Sequence, residues 1–144
     1  MKQRFIKTQK TTLVLLDAHA ILHRAYHALP DFTSPTGEPT GALYGVTTMV
    51  LKIIEDFKPQ YVAACYDLPE ATYRHDAYDG YKAGRSKTDE ALIQQIDRSR
   101  EIFKVFGIPI FEKVGFEADD LLGTIAHLTA DNKDLSVIIA SGDM

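Results

Sequence analysis

Apolar residues recur along this chain with two different periods. Short runs rich in β-branched and apolar residues predict four strands, at Thr12 to Leu16, Gln60 to Tyr66, Ile108 to Phe111 and Leu135 to Ala140. Segments with a helical period alternate with them and predict helices at about His19 to Ala28, Gly41 to Phe57, Thr88 to Phe106 and Ala118 to Thr129. This alternation is typical of an α/β domain with an open, mostly parallel sheet and helices on both faces.

Local signals refine the second helix and the connections. Thr40 is predicted to be the N-cap of that helix, and Gly41 and Gly45 put two small residues on one helix face, which favours close packing. Two connections are long, Leu29 to Thr40 and Leu68 to Lys87, and long irregular segments in compact domains are often functional.

Composition fits one globular domain. The chain has 144 residues, 45% of them hydrophobic, and we predict a flexible basic tail at 1–10 followed by a folded part at 11–144. Cys65 is the single cysteine and lies in an apolar run, so we expect a buried thiol and a reducing cytoplasm. No membrane span is predicted, and a net charge of −4 argues against a protein that coats nucleic acid.

Carboxylates follow every predicted strand. In chain order they are Asp17, Asp67, the trio Glu117, Asp119 and Asp120 in the segment GFEADDLLG, and Asp143. Any one of them could be a turn or cap residue. The carboxyl ends of parallel strands meet at one edge of a sheet, however, and clustered like charges repel unless a cation or a raised pKa relieves them. The joint placement therefore predicts a metal site.

The ligand types indicate which metal to expect. Carboxylate oxygens without cysteine select hard cations such as Mg²⁺ or Mn²⁺, and two such ions can support phosphodiester hydrolysis. His19, His23 and His27 recur at i, i+4 spacing, but nothing in the sequence completes a zinc site with them. We interpret His23 and His27 as packing or substrate-edge residues.

A phosphate substrate also requires cations. In the second long connection, Lys82 and Arg85 could bind phosphates and Tyr81 could stack on a base, and Lys87 follows without an intervening acid. An ordinary solvated loop is the alternative. Arg24 lies seven residues after Asp17, so on a helix it could point toward the acidic edge or pair with a structural carboxylate.

Six segments together resemble a known family. They are LLDAHAILHRAYHALP, SPTGEPTGALYGV, KPQYVAACYD, TYRHDAYDGYKAGR, GIPIFEKVGFEADDLLGTIA and VIIASGDM. In this order they resemble the 5′ nuclease domain that forms the N-terminal part of bacterial DNA polymerase I. The resemblance extends from Thr12 to Met144, and the ordered YK..R, EADD and SGD elements are specific to it.

The resemblance implies roles for these residues. The six carboxylates would hold two divalent metals, Mg²⁺ or Mn²⁺. The scissile phosphate would be steered by Arg24, Tyr81, Lys82 and Arg85, the last three from a helical arch at about 68–87, with Lys87 also contacting nucleic acid. The implied activity is 5′→3′ exonuclease and flap endonuclease cleavage of DNA at junctions of single and double strands, including removal of RNA primers, by a monomer in the cytoplasm.

The sequence departs from the family pattern in two places. Ala18 stands where members usually have glycine after the first aspartate, and the chain stops at Met144, where another metal-binding aspartate normally follows. The helix-three-turn-helix that grips the duplex is also missing, so a fragment with weak or no activity of its own is expected. Two alternatives stay open, a PIN-type ribonuclease and a non-catalytic remnant that binds a metal or a partner.

Overall fold

The structure is a computed structural model, and it describes residues 10–69, 73–77, 80 and 88–142. The four strands are β1 (Thr11–Asp17), β2 (Tyr61–Cys65), β3 (Ile110–Phe111) and β4 (Leu135–Ala140). The five helices are α1 (Ala18–Ala28), α2 (Gly41–Phe57), α3 (Tyr73–Ala77), α4 (Glu90–Val105) and α5 (Ala118–Thr129). No helix in these ranges is long and apolar enough to cross a bilayer.

The strands form one parallel sheet in the order β3-β2-β1-β4. The register pairs Asp17 with Cys65 and Leu16 with Ala140, so the central strands end level with one another. The chain segments that follow β1, β2 and β4 therefore leave the sheet at the same edge, as the sequence predicted.

The two-residue period of the strands divides the core between the two faces of the sheet. On β1, Val14 and Leu16 pack into a large cluster with apolar residues of α1, α2 and α4, whereas Leu15 packs into a smaller cluster with Leu122 of α5. The predicted α/β fold with helices on both faces is confirmed. Cys65 is completely buried in the smaller cluster, as expected.

Helices α1 and α2 pack closely because of Gly45. A β-carbon at this position would lie 2.5 Å from Ala25 Cβ and 3.0 Å from Leu29 Cδ1, closer than packed atoms approach. The expectation of close packing at this glycine is confirmed, and Gly41 approaches the Pro30 carbonyl in the same way.

The N-terminus of α2 is capped by a residue distant in sequence. Thr40 occupies the N-cap position, but its side chain makes no capping hydrogen bond. The Oε1 atom of buried Gln95, on α4, instead accepts hydrogen bonds from Ala42 N at 2.7 Å and Leu43 N at 3.3 Å. The prediction that Thr40 is the N-cap is confirmed, and the hydrogen bonds to the first N–H groups come from Gln95, because α4 brings a well-placed acceptor to them.

Some elements differ from the prediction made from the apolar pattern. Strand β3 has only two residues, and α4 begins at Glu90 rather than Thr88. The pattern did not predict the short helix α3, because five residues are too few to show a helical period, whereas the family resemblance implied a helical arch at about 68–87. Helix α3 lies within the long connection assigned to an arch, most of which is outside the described residues, as is the predicted tail up to residue 9.

Candidate active site

Asp17 is the last residue of β1 and the N-cap of α1. Its Oδ1 atom accepts a hydrogen bond from Ala20 N at 3.1 Å, so the carboxylate caps the helix, and the residue is only 8% exposed. The pKa of Asp17 is raised to about 6, mainly by burial and also by the nearby charges of Asp119 and Asp67, against the opposing effect of the Ala20 hydrogen bond. Three carboxylates from three separate elements therefore interact at the edge of the sheet.

Asp67 follows β2 and connects two other elements of the site. Its Oδ1 atom accepts from Ala118 N at 2.6 Å, at the start of α5, and its own backbone N donates to His19 Nδ1 at 3.1 Å. The His19 ring in turn contacts Tyr66 edge-on at a centroid distance of 5.6 Å. The segment that follows β2 is thereby joined to both α1 and α5.

The three acidic residues at the start of α5 differ in their exposure to solvent. Glu117 is the buried N-cap, Asp119 is exposed, and Asp120 closes a capping box by accepting from Glu117 N at 2.8 Å. A capping box explains the positions of two of these acids by helix geometry alone. Asp119, which interacts with Asp17, remains the member of the trio that is directed toward the other strand exits.

Arg74 on α3 neutralises part of this negative charge. Its Nη1 and Nη2 atoms donate to the two oxygens of Asp120 at 2.8 and 2.7 Å, and Nη1 lies 3.4 Å from Glu117 Oε2. The hydrogen bonds from Arg74 lower the pKa of Asp120. This residue was missed at the level of sequence, although it lies inside the quoted segment TYRHDAYDGYKAGR and its charge was the available signal.

The chemistry of these groups suits a hard divalent cation. Asp17, Asp67 and Asp119 offer carboxylate oxygens, the ligands that such cations prefer, and a bound cation would favour the ionised form of Asp17. Within the described residues, no three His, Cys, Asp or Glu side chains are arranged to hold an ion. Asp67 and Asp120 are instead engaged with Ala118 N and Arg74, and Asp143 lies outside the described residues.

Arg24 fastens the loop after β4 to α1. Its Nη1 atom donates to the Gly142 carbonyl at 3.0 Å, next to the position of Asp143. Gly142 itself approaches the Ala20 carbonyl so closely that a β-carbon would collide with it. The partner of Arg24 in this contact is a backbone carbonyl on the loop after β4, and the role of Arg24 at the acidic edge stays a prediction.

A groove with a volume of about 370 Å³ opens beside Asp67. His19 and His23 line one side, and Arg100 of α4 lines another. Arg100 also lies over the Tyr66 ring at 4.4 Å and pairs with Glu112 at 2.6 Å. His23 therefore faces an open groove next to Asp67, and the interpretation of His23 and His27 as packing or substrate-edge residues stays a prediction.

Five residues predicted for the site cannot be placed. They are Tyr81, Lys82, Arg85, Lys87 and Asp143, which all lie outside the described residues. Their assigned roles therefore stay predictions.

Comparison with known proteins identifies related sequences. A family profile described as "5'-3' exonuclease, N-terminal resolvase-like domain" matches residues 12–144. DNA polymerase I of Mycobacterium tuberculosis is 39% identical over 136 residues, and that of Caldicellulosiruptor bescii is 40% identical over 131 residues. These alignments cover 93% and 91% of this chain, but it spans only about 15% of the length of either relative.

Solved structures share the fold. The T5 D15 protein co-crystallised with metal ions superimposes with a TM-score of 0.63 at 20% identity, covering 92% of this chain and 50% of that one. T5 5′-exonuclease with bound zinc gives a TM-score of 0.61, also at 20% identity, covering 92% of this chain and 49% of the other.

Proposed function

The chain belongs to the 5′-3′ exonuclease family through its N-terminal resolvase-like domain, and on that premise we propose that it hydrolyses phosphodiester bonds of DNA with divalent metals. The proposed activity is 5′→3′ exonuclease and flap endonuclease cleavage. DNA polymerase I relatives support it, and the acidic edge provides the ligand chemistry it needs.

The observation that carries this proposal is the buried carboxylate of Asp17 facing Asp119 and Asp67. Burial and two like charges destabilise an ionised Asp17, and a bound cation would remove that penalty. A purely structural cap would require no further acid beside it. The cluster is therefore better suited to binding Mg²⁺ or Mn²⁺ than to stabilising the metal-free fold.

Each residue has a defined part in the proposed site. Asp17, Asp67, Glu117, Asp119 and Asp143 would hold two metals, which when bound activate water and stabilise the leaving oxygen. Arg24 holds the loop that carries Asp143, through Gly142. We propose that Tyr81, Lys82, Arg85 and Lys87 contact the DNA strand.

The proposal extends to the DNA substrate, the oligomeric state and the location of the protein. The solved structure of T5 D15 flap endonuclease with DNA and metal ions has a TM-score of 0.60 to this chain. By analogy we propose a 5′-flap or a junction of single and double strands as the DNA substrate, including RNA primers. We also propose that the protein acts as a monomer in the cytoplasm.

The decisive experiment combines metal binding with cleavage. The chain is titrated calorimetrically with Mn²⁺ and then incubated with a labelled 5′-flap duplex, in Mg²⁺ and in EDTA. Asp119→Asn serves as the variant, exposed Asp131→Asn as the matched control, and T5 5′-exonuclease as the active standard. We expect Mn²⁺ binding and Mg²⁺-dependent cleavage that is weak beside the T5 5′-exonuclease standard, both lost in Asp119→Asn and kept in Asp131→Asn.

The alternatives give different results in the same assay. Cleavage of single-stranded RNA without any junction requirement would favour a PIN-type ribonuclease. Mn²⁺ binding that depends on Asp119, with no cleavage of either nucleic acid, would favour a non-catalytic metal-binding module. If Asp119→Asn binds Mn²⁺ as well as the unsubstituted chain does, the metal site itself is wrong.

A further inference from the structure

Asp120 uses all of its hydrogen-bonding capacity inside the protein. Its Oδ1 atom accepts from Arg74 Nη2 at 2.7 Å and from the Tyr73 hydroxyl at 3.1 Å. Its Oδ2 atom accepts from Arg74 Nη1 and from Glu117 N, both at 2.8 Å. A carboxylate has about four lone-pair sites, so these four donors leave none directed at a metal.

Asp119 differs from Asp120 in this respect. It is exposed and interacts with Asp17, whereas Asp120 is turned toward α3. Adjacent positions at the start of a helix point about 100° apart, so the two neighbouring side chains leave α5 in different directions. The helix geometry thus separates the two carboxylates into different environments.

Contacts of three kinds, a backbone hydrogen bond, a ring pair and an ion pair, join α3 to the first turn of α5 and to the turn before it. Tyr73 N donates to the Gly115 carbonyl at 3.0 Å, and the Tyr73 and Phe116 rings lie 5.7 Å apart. The third contact is the two-pronged pair between Arg74 and Asp120, with the guanidinium also lying over the Tyr73 ring at 4.7 Å. A planar arginine fork fixes both the distance and the orientation of its partner.

We propose that Asp120 is not a direct metal ligand, and that with Arg74 it forms a positioning ion pair which holds the connection after β2 against the acidic edge. This inference rests on the proposed metal-dependent function and deepens it. It differs from the ligand role that the family resemblance implies for Asp120. The pair lies within the connection that follows β2, so it fixes α3 against the first turn of α5.

Mn²⁺ titration of the chain separates this inference from the proposed function. We expect Asp119→Asn to weaken Mn²⁺ binding by more than tenfold and Asp120→Asn to change it by less than about threefold, since only the former carboxylate is directed at the ion. An equal loss in both variants overturns the inference. Absence of Mn²⁺ binding in the unsubstituted chain overturns the metal-dependent function on which it rests.

A double-substitution cycle tests the ion pair without any metal. We expect Arg74→Met and Asp120→Asn each to lower the folding equilibrium constant about tenfold in urea, and the double variant to lose little more than either single one. Additive losses would show that the two side chains act independently, and would overturn the pair.

Hydrogen exchange tests the positioning role. In Arg74→Met, amides of residues 73–77 should exchange at least several times faster while those of β1 stay protected, and Arg74→Lys should restore protection only in part because lysine lacks the fork. Arg98→Met, which removes an exposed arginine paired with Glu101, is the matched control and should leave residues 73–77 unchanged. Equal exchange of residues 73–77 in Arg74→Met and the unsubstituted chain would overturn the proposal.

Discussion

At the scale of single residues, Asp17 combines two demands that oppose each other. As a helix cap, Asp17 stabilises the fold by accepting the hydrogen bond from Ala20 N. As a buried charge beside other carboxylates, the ionised side chain destabilises the fold. Such a conflict is common where function requires a charge that folding alone would not retain. It also makes Asp17 a sensitive probe of the site.

Replacing Asp17 by asparagine should stabilise the metal-free protein. Asparagine keeps an Oδ1 acceptor for Ala20 N and removes the repelled charge, so the free energy of unfolding at pH 8 should rise by about 1 kcal/mol. The increase in melting temperature on adding Mn²⁺ should disappear. Thermal unfolding with Mn²⁺ and with EDTA measures both effects, with Asp131→Asn as the control. A destabilised variant that still responds to Mn²⁺ would contradict this prediction.

The Tyr66 hydroxyl should make the protein sensitive to alkaline pH. Burial raises the pKa of Tyr66 to about 12 from an ordinary value of 10.0, while its bond to Ser99 Oγ at 2.5 Å and the charge of Arg100 oppose the shift. The unfolded chain loses this proton first, so the contribution to stability is complete below pH 10 and is lost as the pH rises toward 12.

This alkaline loss can be measured by urea unfolding from pH 9 to 11.5. The free energy of unfolding should fall less steeply with pH in Tyr66→Phe than in the unsubstituted protein. Tyr61→Phe, which removes a hydroxyl from a ring that is 63% exposed, is the control. Parallel slopes in the unsubstituted protein and in Tyr66→Phe would refute the assignment.

At the scale of elements, two glycines inside helices differ in how closely other residues pack against them. Gly45 in α2 allows the close approach of α1, whereas Gly123 in α5 has nothing within 4 Å of the place where a β-carbon would stand. Helix propensity favours alanine over glycine at both positions by about 1 kcal/mol. Packing decides which of the two substitutions the fold tolerates.

Alanine at these two positions should therefore change stability in opposite directions. Gly123→Ala should raise the free energy of unfolding by roughly 0.5–1 kcal/mol, from the lower entropy of the unfolded chain. Gly45→Ala should lower it by about 1–3 kcal/mol, because its methyl group overlaps Ala25 and Leu29. Urea unfolding of both variants measures these changes in the free energy of unfolding. A Gly45→Ala variant that is more stable than the unsubstituted protein would contradict the prediction, because it would mean that α1 and α2 separate easily.

At the scale of the whole molecule, the site is assembled from parts that are far apart in sequence. Asp17, Asp67 and Asp119 are separated by about fifty residues each, and the parallel register of β1 and β2 brings the first two together. Contacts across the assembly then secure it, with Asp67 capping α5 and Arg24 binding Gly142. Metal binding is therefore expected to report on the integrity of the entire sheet edge.

The periodic pattern of the sequence was sufficient to determine the strands, four of the helices, the α/β class and the edge where the carboxylates meet. Each of these depends on local propensity and on burial of one face, which the order of residues records directly. The buried Cys65 and the close packing at Gly45 were predictable for the same reason.

Only the tertiary structure decided which charges and caps pair with which partners. Arg74 meets Asp120 across 46 positions, and Gln95 rather than Thr40 binds the first amides of α2 from 53 positions away. A side chain selects its partner by distance and direction in the folded state, and no local pattern encodes either quantity. The sequence alone could therefore count the carboxylates at the edge, but it could not distinguish the one held by an arginine from those that we propose face a cation.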